Sequence, residues 1–229
     1  MKTTYYSEFN NLKSISRPII GSNSLFYYSG GLNFKKNKNG QSYLLRNGIN
    51  NGKVVCDDAG PLLNSKKGKV IFDLQLPSNI EGGVLISNNN VEYLLFGINS
   101  GLQDISYPSI YAKFTSQGIK FGIWNKNGHF YIIDDESTIP KNQRFTIEFV
   151  WENEGLNDRV NFTMGIKING KYSVLGDPSF VEENFCGIGL NLLSFNGKSN
   201  FEVGVYSLRI EAEKIYDCAQ LEDSSSSGK

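Results

Sequence analysis

Apolar and polar residues alternate along much of the chain between positions 70 and 210. In the segment 145–151, Phe145, Ile147 and Phe149 occupy every second position, and Thr146 and Glu148 stand between them. A two-residue period places neighbouring side chains on opposite faces of a β-strand, so the pattern is typical of strands with one buried face. Helical periodicity is almost absent between these positions. We therefore predict an all-β protein.

Turn signals divide this pattern into strands. Asn127-Gly128 and Asn169-Gly170 favour the positive φ values of two-residue hairpin turns, which predicts an antiparallel strand pair around each. In the last strand the alternation changes phase before Leu208, and a β-bulge near Tyr206 would restore the buried face. The predicted strands are 24–28, 31–34, 43–45, 69–76, 83–87, 92–98, 110–115, 118–124, 129–133, 144–152, 159–168, 172–175, 185–194 and 201–212.

The chain has 229 residues, which suits one all-β domain because sandwiches and barrels commonly reach ~200–250 residues. We expect that domain to cover residues 25–216. Residues 1–24 are polar and mixed, and we predict an extended arm there. The tail 217–229 contains four consecutive serines. We interpret the tail as a disordered terminus or an artificial extension and leave it out of the fold prediction.

Four segments carry a family resemblance. They are an opening strand with the sequence Gly30-Gly31-Leu32-Asn33-Phe34, the strand 145–151, the hairpin 160–175, and a closing strand 201–210 that ends in Arg209-Ile210. In this order they resemble the concanavalin A-like, laminin-G-like jelly roll. The resemblance implies a two-sheet antiparallel sandwich that binds carbohydrate or a protein ligand on a concave sheet face or on loops at one edge. Lectins, glycan hydrolases, lyases and virion-surface domains share this fold, so fold alone does not choose among them.

The charge balance narrows the classes of partner. Lys and Arg number 23, and Asp and Glu also number 23, so no basic surface is expected for nucleic acid or an anionic membrane. No stretch approaches the ~20 apolar residues of a membrane helix. The first residues lack the apolar core of a secretory signal. We expect neither membrane insertion nor a signal peptide.

The sequence offers little for metal binding. Its three cysteines form no Cys-x-x-Cys pair and its only histidine is His129, so a zinc site or a Cys/His nucleophile is not expected. We expect buried reduced thiols, with a Cys56–Cys218 bridge as the alternative. The acidic clusters Asp57-Asp58 and 134–136 lack the alternating spacing of a calcium loop. We predict no metal ligands and no cofactor, and calcium is the one ion left open.

Two segments carry residues that are similar to parts of catalytic motifs. Glu148 and Glu152 share a strand face, but Val150 stands where a glucanase of this fold would carry a middle carboxylate. A retaining glycosidase needs two carboxylates about 5–5.5 Å apart. Tyr111 and Lys113 are similar to half of a lyase motif, yet no Gln-Ile-His segment accompanies them. We predict no catalytic residues and no enzyme activity.

Glycan binding needs an aromatic face that stacks on a sugar ring, with amides nearby to bond its hydroxyls. Trp124 is out of phase with the apolar positions of its own strand, so we predict that it forms a concave-face platform with Tyr131. Tyr111, Asn125 and Asn127 complete the predicted ligand-binding set. The alternative is that both faces of this strand are buried.

The function predicted from these observations is a non-catalytic recognition module that binds a glycan or a cell-surface polysaccharide. A β-sandwich adhesin without a signal peptide fits a bacteriophage virion surface, as a decoration, fibre or tail component. Residues 1–24 would then contact other virion proteins. The alternatives are a polysaccharide hydrolase or lyase of the same fold and a purely structural virion protein.

Overall fold

The computed structural model describes residues 1–23, 26–29, 32–47, 53–63, 67–75, 91–98, 109–115, 118–124, 130–133, 144–153, 162–168, 171–175, 189–196 and 202–213. These residues form fifteen strands and one short helix. The elements are β1 (Lys2–Glu8), α1 (Leu12–Ser16), β2 (Tyr27–Ser29), β3 (Asn33–Lys36), β4 (Ser42–Asn47), β5 (Lys53–Cys56), β6 (Lys67–Gln75), β7 (Val91–Ile98), β8 (Ser109–Thr115), β9 (Gly118–Trp124), β10 (Phe130–Ile133), β11 (Arg144–Asn153), β12 (Phe162–Ile168), β13 (Lys171–Leu175), β14 (Leu190–Asn196) and β15 (Glu202–Ala212).

The strands form two antiparallel sheets. Sheet A has the order β13-β12-β11-β6-β15-β4-β3, and β1 also pairs with β15. Sheet B has the order β10-β9-β8-β7-β14-β5-β2. The predicted all-β, two-sheet antiparallel sandwich is confirmed.

Alternating residues of both sheets build the core. In β6 every second residue is buried, including Val70 and Phe72, and β11 contributes Phe149. The rings of Phe72 and Phe149 meet edge to face with centroids 6.2 Å apart, a favourable aromatic geometry. Leu192 of β14 is buried from the side of sheet B. Burial of each such side chain contributes ~1.5–3 kcal/mol.

The register confirms three local predictions. The hairpins β9–β10 and β12–β13 are antiparallel. In β15 the pairing with β6 shifts by one residue between Val205 and Ser207, which is the predicted bulge at Tyr206. Tyr206 is only 3% exposed. Its hydroxyl donates to Gln75 Oε1 at 2.8 Å, and the Arg144 guanidinium lies 4.0 Å from its ring centre.

The predicted extended arm over residues 1–24 is wrong. β1 pairs with β15 along its length, and Tyr5 and Phe9 are fully buried. Helix α1 follows, capped by Asn11, and the Tyr5 hydroxyl donates to the Ile15 carbonyl at 2.9 Å. The two-residue period is present at positions 5, 7 and 9, but its middle member is the polar Ser7, so the segment has too few apolar residues to reveal a strand.

One further difference concerns strand assignment. Strand β5 was not predicted, because its four residues have only two apolar positions before a cysteine. The predicted strand 83–87 and the tail 217–229 lie outside the described residues.

Candidate functional site

The register of sheet B assigns each position of its strands to one of two faces, because residues paired across antiparallel strands share a face. Val54 of β5 and Leu192 of β14 are paired and fully buried, so they mark the inner face. The row through these two residues continues across the sheet. The inner row is Val54, Leu192, Phe96, Ile110, Ile123 and Tyr131.

The neighbouring row belongs to the opposite face and crosses all seven strands. We call it the outer row. It begins at Tyr27 of the edge strand β2, which pairs with Val55 and is 42% exposed. The outer row is Tyr27, Val55, Asn191, Gly97, Ser109, Trp124 and Phe130.

The register separates the two aromatic residues of the predicted platform. Trp124 belongs to the outer row, whereas Tyr131 pairs with Ile123 in the inner row. The prediction that they share one face is wrong. A two-residue turn at Asn127-Gly128 would pair Trp124 with Tyr131, but the structure pairs Trp124 with Phe130. A shift of one residue moves a position to the other face of the sheet.

Tyr111 shares a face with Trp124. It pairs with Gly122, two residues before Trp124 in the same strand. The sheet therefore places Trp124 and Tyr111 of the predicted set on one face. It adds Phe130 and Asn191 to that face, and these two could not be predicted because the strand register is not visible in the sequence. Asn125 and Asn127 lie outside the described residues.

A hydrogen-bonded tyrosine and aspartate, Tyr27 and Asp57, lie at the β2 end of the outer row. The Tyr27 hydroxyl donates to Asp57 Oδ1 at 2.6 Å, and both side chains are exposed. This hydrogen bond raises the pKa of the Tyr27 hydroxyl, because the bond is lost when the hydroxyl ionises. The sequence did not predict this pair, because the two residues are 30 positions apart and no local pattern connects them.

The carboxylates considered for catalysis lie on the outer face of sheet A and are ion-paired. Glu148 Oε2 is 3.6 Å from Lys69 Nζ, and Lys69 also lies 3.2 Å from a carboxylate oxygen of Glu211. Lys67 pairs with Glu152. Ion pairs between lysines and glutamates are common on the surfaces of proteins, so these contacts give no sign of a catalytic site.

Asp57 and Asp58 each accept a hydrogen bond from within the protein, Asp57 from the Tyr27 hydroxyl. Asp58 accepts a hydrogen bond from the Gly60 amide at 2.9 Å, as in an Asx turn. Among the described residues, no group of three or more His, Cys, Asp and Glu side chains could hold a metal ion. The cluster 134–136 and His129 lie outside the described residues.

Cys56 is a buried free thiol at the end of β5. This agrees with the predicted buried, reduced thiol at Cys56, and Cys186 and Cys218 lie outside the described residues. Its sulfur donates to the Asp58 carbonyl at 2.9 Å. Burial raises the pKa of the thiol to about 11, so the reactive thiolate is scarce near neutral pH.

The described residues contain no helix long and apolar enough to span a membrane.

Comparison with known proteins identifies the class of fold. No protein-family model and no curated protein matches the chain. Over 97% of its length it is similar to domain 4 of an extracellular GH43 arabinanase from Geobacillus stearothermophilus, solved in complex with arabinotriose. The identity is 17%, the TM-score is 0.55 and 97% of that chain is covered.

Botulinum neurotoxin structures form a second group of similar structures. One concerns the interaction of the type C toxin with two ganglioside molecules (15% identity, TM-score 0.59), and another is the type DC binding domain with rat synaptotagmin II (16% identity, TM-score 0.60). Each match covers 99% of this chain and 51% of the neurotoxin chain, so the chain spans about half of their length. These similarities show a shared β-sandwich fold.

Proposed function

We propose that this protein is a non-catalytic carbohydrate-binding module that uses the outer face of sheet B. The observation that carries the proposal is the outer row, which aligns Trp124 and Phe130 with Ser109, Gly97 and Asn191.

The composition of this row suits a sugar ligand. Trp124 supplies an aromatic surface on which a sugar ring can stack, and its indole N–H is a hydrogen-bond donor. Gly97 and Ser109 are small, so they leave room for a ligand to approach the backbone beside Trp124. Asn191 adds both a donor and an acceptor for hydroxyl groups. Apolar rings with a few placed polar groups are the usual content of a small-ligand site.

The similar structures add independent support. The arabinanase domain was solved with arabinotriose, and the type C neurotoxin structure concerns gangliosides. Both ligands contain sugars, and the arabinanase domain matches this chain over nearly its whole length.

The non-catalytic part of the proposal rests on sheet A. Glu148 and Glu152 are paired with lysines of β6, and Val150 lies between them in the strand. The expected place on a virion surface stays a prediction. The expected contact of residues 1–24 with other virion proteins also stays a prediction, and it would now involve a packed segment, since β1 is part of sheet A.

A glycan-array screen of the purified protein and of Trp124→Ala tests the proposal, with and without calcium. We expect the substitution to weaken binding at least roughly tenfold, as for an aromatic group at the centre of an interface. Tyr6→Ala is the matched control, because Tyr6 is a partly exposed tyrosine on sheet A. Thermal unfolding of both variants checks that the fold is intact. Equal binding by wild type and Trp124→Ala would contradict the proposed site, and no binding by wild type would contradict the function.

A further inference from the structure

We propose that Tyr27 and Asp57 form a second glycan contact on the outer row, so that the ligand is an extended polysaccharide chain rather than a single terminal sugar. This inference rests on the proposed function. It names the class of ligand and adds two residues at the opposite end of the sheet from Trp124.

The first argument is the geometry of the pair. Tyr27 lies on the outer face because it pairs with Val55, and Asp57 follows directly after the last residue of β5. The hydrogen bond of 2.6 Å between the Tyr27 hydroxyl and Asp57 Oδ1 ties the tip of the ring to the end of β5. An exposed ring whose orientation is already set loses little entropy when a ligand stacks on it.

The second argument is chemical. A carboxylate has about four lone-pair sites on its two oxygens, and the Tyr27 hydroxyl uses one of them. Asp57 is exposed, so ligand hydroxyls can reach its remaining acceptor sites. Hydrogen bonds to a charged group are roughly twice as strong as neutral ones. A ring with an adjoining carboxylate therefore matches a sugar, which offers both a ring face and hydroxyl donors.

The third argument is the separation of the two contacts. The strand order from β2 to β9 is β2-β5-β14-β7-β8-β9, which is five steps of ~4.8 Å, or about 24 Å in total. One sugar cannot span that distance, but a linear chain can. Four residues occupy the outer row between the two contacts and would lie beneath the middle of the chain: Val55, which is 9% exposed, Asn191, Gly97 and Ser109.

Tyr28 is the control for exposure. It follows Tyr27 in the same strand and is 43% exposed, against 42% for Tyr27. Its partner is Val54 of the inner row, so it does not belong to the outer row. A general effect of removing an exposed tyrosine from β2 would appear equally in both variants.

The experiment uses a glycan array that carries each linear polysaccharide both as a trisaccharide and as longer oligomers. We expect wild type to bind the long oligomers at least roughly tenfold more tightly than the trisaccharide. Tyr27→Ala and Asp57→Ala should remove this preference for length and still bind the trisaccharide. Tyr28→Ala should behave as wild type, and Trp124→Ala should weaken binding of both ligands.

The outcomes separate the two proposals. Retention of the full length preference in Tyr27→Ala and Asp57→Ala, with binding lost in Trp124→Ala, would overturn the second contact and leave the proposed function intact. Equal affinity of wild type for short and long oligomers would overturn the second contact as well. No binding by wild type to any glycan would overturn both. Thermal unfolding of every variant identifies a loss of binding that is due to misfolding.

Discussion

Single residues decide how the first strand is held at the edge of sheet A. Gly21 has a φ of 112°, in the left-handed region that favours glycine. An added Cβ would lie 2.8 Å from the carbonyl oxygen of Thr4, which is closer than real Cβ atoms come. The residues before Gly21 bond the exposed edge of β1, since the Tyr6 amide donates to the Ile20 carbonyl at 2.9 Å. A glycine here lets residues 19–21 cover that edge, and unpaired edges are sites of aggregation.

Gly21→Ala should destabilise the protein by about 2–3 kcal/mol, because it adds a backbone clash to the strain of a positive φ. Gly40→Ala is the matched control. Gly40 has a φ of 78° but no atom within 4 Å of the added Cβ, so only the conformational cost of about 1–2 kcal/mol applies. Urea unfolding measures both variants. Equal losses of stability would show that the contact with Thr4 has no energetic effect.

At the scale of elements, β1 completes the side of β15 that β4 leaves open. β4 pairs with β15 only from Glu202 to Val205, and β1 pairs with the remainder. The buried ring of Tyr5 meets Phe26 edge to face with centroids 4.7 Å apart. The first strand thus contributes to the core between the sheets, and it cannot act as a detachable arm.

Tyr5→Ala should reduce the free energy of unfolding by about 3–5 kcal/mol, the usual loss for removal of a large buried aromatic ring. Tyr6→Ala, at the next position of the same strand, should cost about 1 kcal/mol or less, because Tyr6 is partly exposed. Chemical denaturation with both variants is the measurement. A loss below 1 kcal/mol for Tyr5→Ala would support the extended arm that the sequence predicted.

At the scale of the whole molecule, the ion pairs among the described side chains lie on sheet A, and the outer row lies on sheet B. Sheet A displays ion pairs, including Arg144 with Asp73 and Lys69 with Glu211. Exposed or partly exposed pairs of this kind contribute little to stability. The outer row of sheet B has aromatic residues at both ends, and between them it has Val55, Asn191, Gly97 and Ser109. Recognition is proposed for the outer row of sheet B.

Alkaline pH should weaken the packing between the sheets. The pKa of Cys56 is raised in the folded protein to about 11, from an ordinary value near 9, because its thiol is buried. A group with a raised folded-state pKa contributes its full stability below the unfolded value and loses it as the pH rises through the folded value. Cys56 should therefore cost the protein about 2 kcal/mol between pH 9 and pH 11. Burial also raises the pKa of the Tyr5 hydroxyl, which extends the decline to higher pH.

Cys56→Ser tests the contribution of the thiol, since serine keeps a donor for the Asp58 carbonyl but does not ionise in this range. Urea unfolding of both proteins at pH 7, 9, 10 and 11 gives the comparison. The variant should lose about 2 kcal/mol less stability than wild type between pH 9 and pH 11. Parallel declines of the two proteins would contradict the role of Cys56.

The sequence by itself determined the all-β class, most strands, two hairpin pairings and the bulge at Tyr206. These features depend on the two-residue period and on local turn preferences, and both can be recognised from residues that are neighbours in the sequence. Tertiary structure decided the rest. The strand β1 is revealed only by its pairing with β15. Trp124 and Tyr111 share a face because of the register between β8 and β9, and a register shift of one residue would place a position on the other face of the sheet. Tyr27 meets Asp57 because β2 pairs with β5, a contact between distant positions that local pattern does not encode.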